Sequence, residues 1–300
     1  MESSAAAPRP VIVGIGEILW DILPSGRHIG GAPANFARRA QALGAEGVIV
    51  SAVGDDEPGR DILRTLRLHG MVRDHISVIE AVPTGRVTAV LDAEGVPVFT
   101  IHDNVAWDVL PRTPESTALA ARADAVCFGT LAQRSSVSRE TIRAFLDLTK
   151  ADCLRVFDVN FRQRFYSPEI VRDSLARAGV LKLNEEELRA IAVMLDLPGP
   201  EGDVLARLSD LFPLEIIALT RGSRGSRLFG RSEESLHPGF AVDVADTVGA
   251  GDAFTAALVM GLLEKKDLDE INAGANRVAA QVCSVRGAWP ELPSGPAGGP

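Results

Sequence analysis

Asp246-Thr247-Val248-Gly249-Ala250-Gly251-Asp252-Ala253-Phe254 places two glycines and an alanine at the mouth of a strongly apolar stretch, with a carboxylate inside its first turn. The run that follows reads as an apolar helix over 251–265. The first amides of a helix have no partners within it and lie at the positive end of its dipole. A turn without side-chain bulk in front of them is therefore a ready cradle for an anion. Such a position favours the ionised form of Asp252. An anion cradle with a carboxylate base beside it points to phosphoryl transfer to a hydroxyl.

Working outward from this helix, short apolar runs of β type alternate with helical patterns. Strands are expected over 11–15, 47–53, 125–128, 154–158, 180–183 and 216–220, and helices over 34–43, 58–69, 138–149, 168–177, 185–195, 202–211, 251–265 and 268–285. This alternation predicts an α/β fold with a mostly parallel central sheet covered by helices on both faces, in three α/β/α layers. Residues 84–91 and 96–101 break the pattern as a hairpin turning at Asp92-Ala93-Glu94-Gly95. Together with one or two strands in 18–29, they read as a small β-sheet lid, in segments of about 17–30 and 82–102. One domain is expected over 11–292, with 1–10 and 293–300 disordered.

The chain has 300 residues, 46% of them hydrophobic, which is ample for a large core. Its net charge of −9 argues against nucleic acid or an anionic membrane as partner. Every apolar run is too short to span a bilayer, and no signal peptide is visible. Cys127, Cys153 and Cys283 are widely spaced in apolar surroundings, which reads as buried reduced thiols and a cytoplasmic protein.

Two familiar phosphate-binding signatures fail. Gly14-x-Gly16-x-x-Leu19 lacks the third glycine of a dinucleotide fingerprint and is followed by Pro24 instead of a helix. No GxxxxGK[ST] loop occurs, and no lysine precedes Lys150. A second small-residue turn, Gly30-Gly31-Ala32-Pro33-Ala34-Asn35-Phe36-Ala37, opens a helix with Asn35 in its first turns. It is either a glycine hinge with an N-terminal proline or, with Asp21, a clamp for sugar hydroxyls. Asn184 and Glu187 stand one helical turn apart, a spacing suited to the waters of a hydrated Mg2+ and equally to a helix N-cap with an acidic first turn.

GGAPANFA and DTVGAGDAF resemble the two signatures of the ribokinase-like (PfkB-type) carbohydrate kinases. With GEILWDILPSG, AVCFGTLAQR and FDVNFR, the chain is similar to bacterial fructokinases over about 11–293. The resemblance implies ATP-dependent phosphorylation of a sugar hydroxyl. Asp252 would be the base, Gly249, Ala250 and Gly251 the anion hole, and Arg162 the partner of the transferred phosphoryl group. Asp21, Gly31, Asn35, Asn160 and Gln133 would meet the sugar. Asn184, Thr220, Gly222, Gly225 and Asn276 would lie on the nucleotide side, with Glu187 near Mg2+. Asp246 and Gly287 match positions that bind a monovalent cation such as K+ in some members.

Fructose is the expected acceptor. Ala32 and Pro33 stand where a phosphosugar kinase could carry a charge, with Arg27 and His28 the only bases nearby. Ribose, 2-keto-3-deoxygluconate and a nucleoside are the alternatives, followed by a silent sugar or nucleotide sensor and, more distantly, an oxidoreductase. An exposed lid edge needs covering, and relatives commonly pair lid to lid, so a homodimer is among the expectations.

Overall fold

The computed structural model describes residues 8–23, 26–91, 97–287 and 289–290. The hairpin turn expected at Asp92–Gly95 and the expected disordered tail lie outside them, as does most of the leader. The chain opens with β1 (Val11–Ile15), β2 (Leu19–Leu23), β3 (Gly26–Gly30), α1 (Ala32–Ala42), β4 (Glu46–Gly54), α2 (Glu57–Leu68), β5 (Ile76–Ile79), β6 (Arg86–Leu91) and β7 (Pro97–Ile101). It continues through α3 (Pro114–Arg122), β8 (Ala125–Phe128), α4 (Ser136–Asp147), β9 (Leu154–Asp158), α5 (Pro168–Arg177), β10 (Val180–Asn184), α6 (Glu185–Leu195) and α7 (Glu201–Leu211). The last elements are β11 (Ile216–Thr220), β12 (Ser226–Gly230), β13 (Glu234–His237), α8 (Ala250–Leu263) and α9 (Leu268–Cys283).

Nine strands form the main sheet in the order β13-β12-β11-β10-β9-β8-β1-β4-β5. All neighbours are parallel except β11–β12 and β12–β13. Side chains alternate between two apolar layers, as strands buried on both faces require. Val11, Val13 and Ile15 of β1 point into one layer with Val126, Phe157, Leu181 and Ile217. Ile12 points into the other with Ala125, Val156, Val180 and Ala218. Helices α3 to α7 cover the first layer, and α1, α8 and α9 the second. Each fully buried Ile, Leu or Phe contributes about 1.5–3 kcal/mol.

Helix boundaries follow local chemistry. For α5, Ser167 accepts from the Ile170 amide at 3.2 Å, Pro168 occupies the first turn and Arg177 the last. Helix α8 has an apolar surface on nearly all sides and lies against both α1 and α9. Three features exceed the expectation. Helix α3 forms over a run with little apolar periodicity, capped by Thr113 and Ser116 acting reciprocally. Short β5 extends one edge, and the antiparallel β12–β13 hairpin closes the other.

The lid is a four-stranded sheet in the order β3-β2-β6-β7. Two excursions from the main sheet build it, joined where β2 runs parallel to β6 with Trp20 opposite Arg86. It touches the body at several points: Trp20 Nε1 donates to the Pro58 carbonyl at 2.9 Å, Arg27 pairs with Asp61, and Gln163 Nε2 donates to the Phe99 carbonyl at 2.7 Å.

Candidate active site

Chain order reverses between β1 and β8: β1 leads through β4 to β5 on one side, and β8 leads through β9, β10 and β11 on the other. Ligands of open α/β sheets bind at the carboxyl ends of strands beside such a reversal. Glu17, Asn160, Asn184 and the turn after Thr220 all stand at these ends. The start of α8 joins them, because α8 packs against α1 on the same side of the sheet.

Gly249 adopts φ 77° and caps α8, and the Ala250 amide turns back to the Thr247 carbonyl at 3.3 Å. Asp252 follows in the first turn. Its Oδ2 accepts from Asn35 Nδ2 at 2.8 Å, which brings the two glycine-rich turns of the sequence together across 217 positions. Burial, and after it the negative charge of Asp158, pushes the Asp252 carboxyl up to about 6; the Asn35 hydrogen bond, Lys182 and Arg162 oppose this. The helix start was expected to favour ionisation. Loss of solvent around the carboxyl works the other way and pushes it up.

Two more carboxyls share this cleft. Burial pushes Glu17 up to about 7, against backbone hydrogen bonds including one from Ala32 and with the Asp252 charge adding to the rise. Glu17 Oε1 accepts the Ala32 amide at 3.3 Å, while Oε2 is buried without a hydrogen-bond partner among the described residues. Asp21 on lid strand β2 is pushed up to about 6 by burial, with Arg162 and His28 pulling it down. Gly30 and Gly31 allow this crowding. A Cβ on Gly30 would stand 2.2 Å from Asp21 Oδ2, and one on Gly31, at φ 108°, would stand 2.4 Å from the Glu17 carbonyl.

The remaining candidates divide. No hydrogen bond joins Asp21 and Asn35, the two residues of the expected clamp, to each other among the described residues. Asn35 instead lies between Asp252 and Trp289, whose Nε1 donates to Asn35 Oδ1 at 2.7 Å. Arg162 is exposed, close enough to act on Glu17, Asp21 and Asp252. Asn160 holds the left-handed conformation at φ 41°. Gln133 is 1% exposed, and its Nε2 donates to the Gly129 carbonyl and Ser174 Oγ at 2.8 and 3.0 Å.

Asn184 is an N-cap, its Oδ1 accepting the Glu186 and Glu187 amides at 2.9 Å each. Glu187 is buried and returns the bond, with Oε2 on the Asn184 amide at 2.8 Å and Oε1 on the Phe161 amide at 3.0 Å. The capping reading of this motif therefore holds, and burial raises the Glu187 carboxyl above the usual range, with Lys182 opposing. Among the described residues no three His, Cys, Asp or Glu side chains are placed to hold a metal. Thr220 Oγ1 donates to the Leu183 carbonyl at 3.2 Å, and Gly222 and Gly225 bound a tight turn at φ 59° and 78°. Asn276 commits Nδ2 to a buried network with Ser226 and Asn272, which leaves Oδ1 as the end not engaged in that network. Asp246 accepts the Val248 and Gly287 amides at 3.0 Å each, so the pair matched to a monovalent cation does converge.

Sequence reading missed a buried ion pair below the site. Lys182 Nζ lies 3.0 Å from Asp158 Oδ1, and Thr255 Oγ1 of α8 donates to Asp158 Oδ2 at 3.0 Å. Burial alone would depress the ammonium, but Asp158, Glu187 and Asp252 outweigh it and hold Lys182 up to about 12. Its Nζ would stand 3.1 Å from a Cβ on Gly251, so a permanent cation lies directly under the anion cradle. The available signal was a charged residue inside the apolar strand VLKL, which demands a partner. A cavity of about 750 Å³ opens elsewhere, beside Asn104, Ser135 and Phe165. Its cation, Arg134, is committed to Asp108 and Asp103, and none of Glu17, Asp21, Asn35 and Asp252 lines it. The carboxyls Glu17, Asp21 and Asp252 thus gather away from that cavity, between lid and strand ends.

A doubly covered α/β sheet with a β-lid, and a carboxylate at an anion-ready helix start, suits a small-molecule phosphotransferase. The chain belongs to the pfkB family of carbohydrate kinases, whose model matches residues 25–294. It is 32% identical over 296 residues to a fructokinase of Klebsiella pneumoniae, covering 93% of this chain and 95% of that protein. A sugar kinase of Pyrococcus horikoshii, solved in complex with ATP, is 29% identical with a TM-score of 0.80 over 94% of this chain and 95% of that one. A fructokinase of Vibrio cholerae with fructose, ADP and a calcium ion shares the fold, at 23% identity and a TM-score of 0.79 over 95% and 96%.

Proposed function

We propose that this carbohydrate kinase transfers the γ-phosphoryl group of ATP to a hydroxyl of fructose, in the cytoplasm, with Asp252 as the base. The observation that carries the assignment of the base is the Asn35–Asp252 contact at the start of α8. It holds one carboxylate oxygen and leaves Oδ1 for the acceptor. A carboxyl near 6 remains mostly ionised at neutral pH, yet is a stronger base than an ordinary aspartate.

In this reading the sugar lies between β2 of the lid and the strand ends, with Asp21, Gly31 and Asn160 around it. Asp252 takes the proton of the attacking hydroxyl. The amides at Gly249–Gly251, with Lys182 beneath them and Arg162 facing them, stabilise the charge on the transferred group. ATP lies along the Thr220–Gly225 turn toward Asn276. The donor set at Asn184 and Glu187 fits a water-clad Mg2+ carried on the nucleotide phosphates, since both Glu187 oxygens already accept amides. That ion supplies charge neutralisation.

A neutral acceptor is supported by the state of Arg27, one of the two bases near the second glycine turn. Arg27 pairs with Asp61 of α2 at 2.5 Å and stacks over Trp20, so its charge is already partnered. The likeness to fructokinases favours fructose among neutral sugars. A coupled ADP-release assay over fructose, ribose, 2-keto-3-deoxygluconate, a nucleoside and fructose 6-phosphate tests the assignment. Fructose should give the highest kcat/KM, and a preference for any other acceptor by tenfold or more would overturn it.

A further inference from the structure

We propose that Trp289 is a positioning residue of this site: its indole N–H fixes the Asn35 amide so that Nδ2, and not Oδ1, faces Asp252. The proposal rests on the reading of Asp252 as the base. An asparagine amide offers donors at one end and an acceptor at the other, and a half-turn exchanges them. Its two neighbours here are one-sided. The indole only donates, and an ionised carboxylate only accepts. With Trp289 Nε1 at 2.7 Å from Oδ1 and Asp252 Oδ2 at 2.8 Å from Nδ2, both contacts are hydrogen bonds. After a half-turn both become repulsive, N–H against NH2 and carboxylate against carbonyl.

The indole is itself held. Trp289 packs against the cluster containing Ile18, Trp20, Ile62 and Leu66, with the His69 ring edge-on at 5.4 Å. The next residue, Pro290, accepts from Arg39 Nη2 of α1 at 3.4 Å. The segment after α9 thus reaches over α1 to set a group in contact with the base, 254 positions from Asn35.

The other charged groups facing Asp252 are Glu17 after β1, Asp158 on β9, Lys182 on β10 and Arg162 after β9. The Asn35 bond favours the ionised carboxylate against burial and Asp158. Loosening it therefore favours the protonated form and moves the acid limb of the rate profile to higher pH.

Trp289→Phe keeps the ring and removes the donor. We expect the acid limb of kcat/KM to rise by about 0.5–1 pH unit, the scale of one hydrogen bond, which lowers kcat/KM at pH 6.5 by about 1.5- to 3-fold. In the wild-type protein, the Trp289 indole cross-peak in 1H–15N spectra, assigned from its loss in Trp289→Phe or Trp289→Leu, should titrate with the midpoint of that limb. It should stop titrating in Asp252→Asn. A residue serving packing alone would change stability and leave both readouts unmoved, which overturns the proposal. Should the Phe variant fail to fold, a wild-type indole peak that does not titrate overturns it equally. Full turnover in Asp252→Asn would instead remove the base assignment itself.

Discussion

Replacing Asp252 by Asn should abolish most turnover and make the protein more stable. An unfolded Asp252 ionises near 3.8 and the folded one near 6. Below about pH 4 both states hold the proton. Between these values the unfolded state releases its proton first, so rising pH erodes stability, and above about 6 the whole penalty is present. The displacement from 3.8 to about 6, at about 1.4 kcal/mol per unit, sets a ceiling of about 3 kcal/mol at pH 8. That figure already includes the Asn35 bond, which helps the ionised form. Partial solvent contact reduces it, so about 1–3 kcal/mol is expected, falling to about half at pH 5. In a chain of 300 residues this corresponds to a Tm about 2–5 °C higher at pH 8. The Asn side chain can turn its oxygen to Asn35 and keep that contact. Calorimetry at pH 5 and 8, with kcat measured on the same samples, checks the reasoning. Turnover should fall at least ~10²-fold. A variant no more stable than wild type at pH 8, or a gain of equal size at both pH values, would refute it.

Lys182→Met leaves Asp158 buried without its counter-ion, so unfolding in urea should show a loss of about 3–5 kcal/mol. Arg162→Ala should lower kcat more than sugar affinity. Isothermal titration with sugar alone, and with a nonhydrolysable ATP analogue, would reveal the reverse pattern if Arg162 served binding. Gln163→Ala removes the hydrogen bond that joins β7 of the lid to the body at Phe99. Slower closure should admit water as a competing acceptor and raise sugar-independent ATP hydrolysis by about 2- to 5-fold, read as phosphate release, with little change in Tm.

Much of this fold was legible because local signals agree with it. Residues 168–177 and 185–195 carry their own caps and first-turn charges, and the helices form with those bounds. The β12–β13 hairpin was not legible: strand Ser226–Gly230 alternates buried and half-buried residues over only five positions. Asp252 and Asn35 were singled out separately, since each lies just inside a glycine-rich turn. That they touch each other, and not only a ligand, follows from α8 packing against α1.

Sequence alone determined the layered α/β architecture, the small β-lid, and a carboxylate at an anion-ready helix start, because periodicity, glycine placement and capping act over a few residues. The tertiary structure decided what depends on burial and on partners far away in the chain. It moved the Asp252 carboxyl upward, opposite to the direction the helix start favours, through burial and the Asp158 charge. It buried Gln133 against Ser174 and bound Glu187 into a cap. It also placed Lys182 beneath Gly251 and Trp289 behind Asn35, contacts that no local pattern encodes.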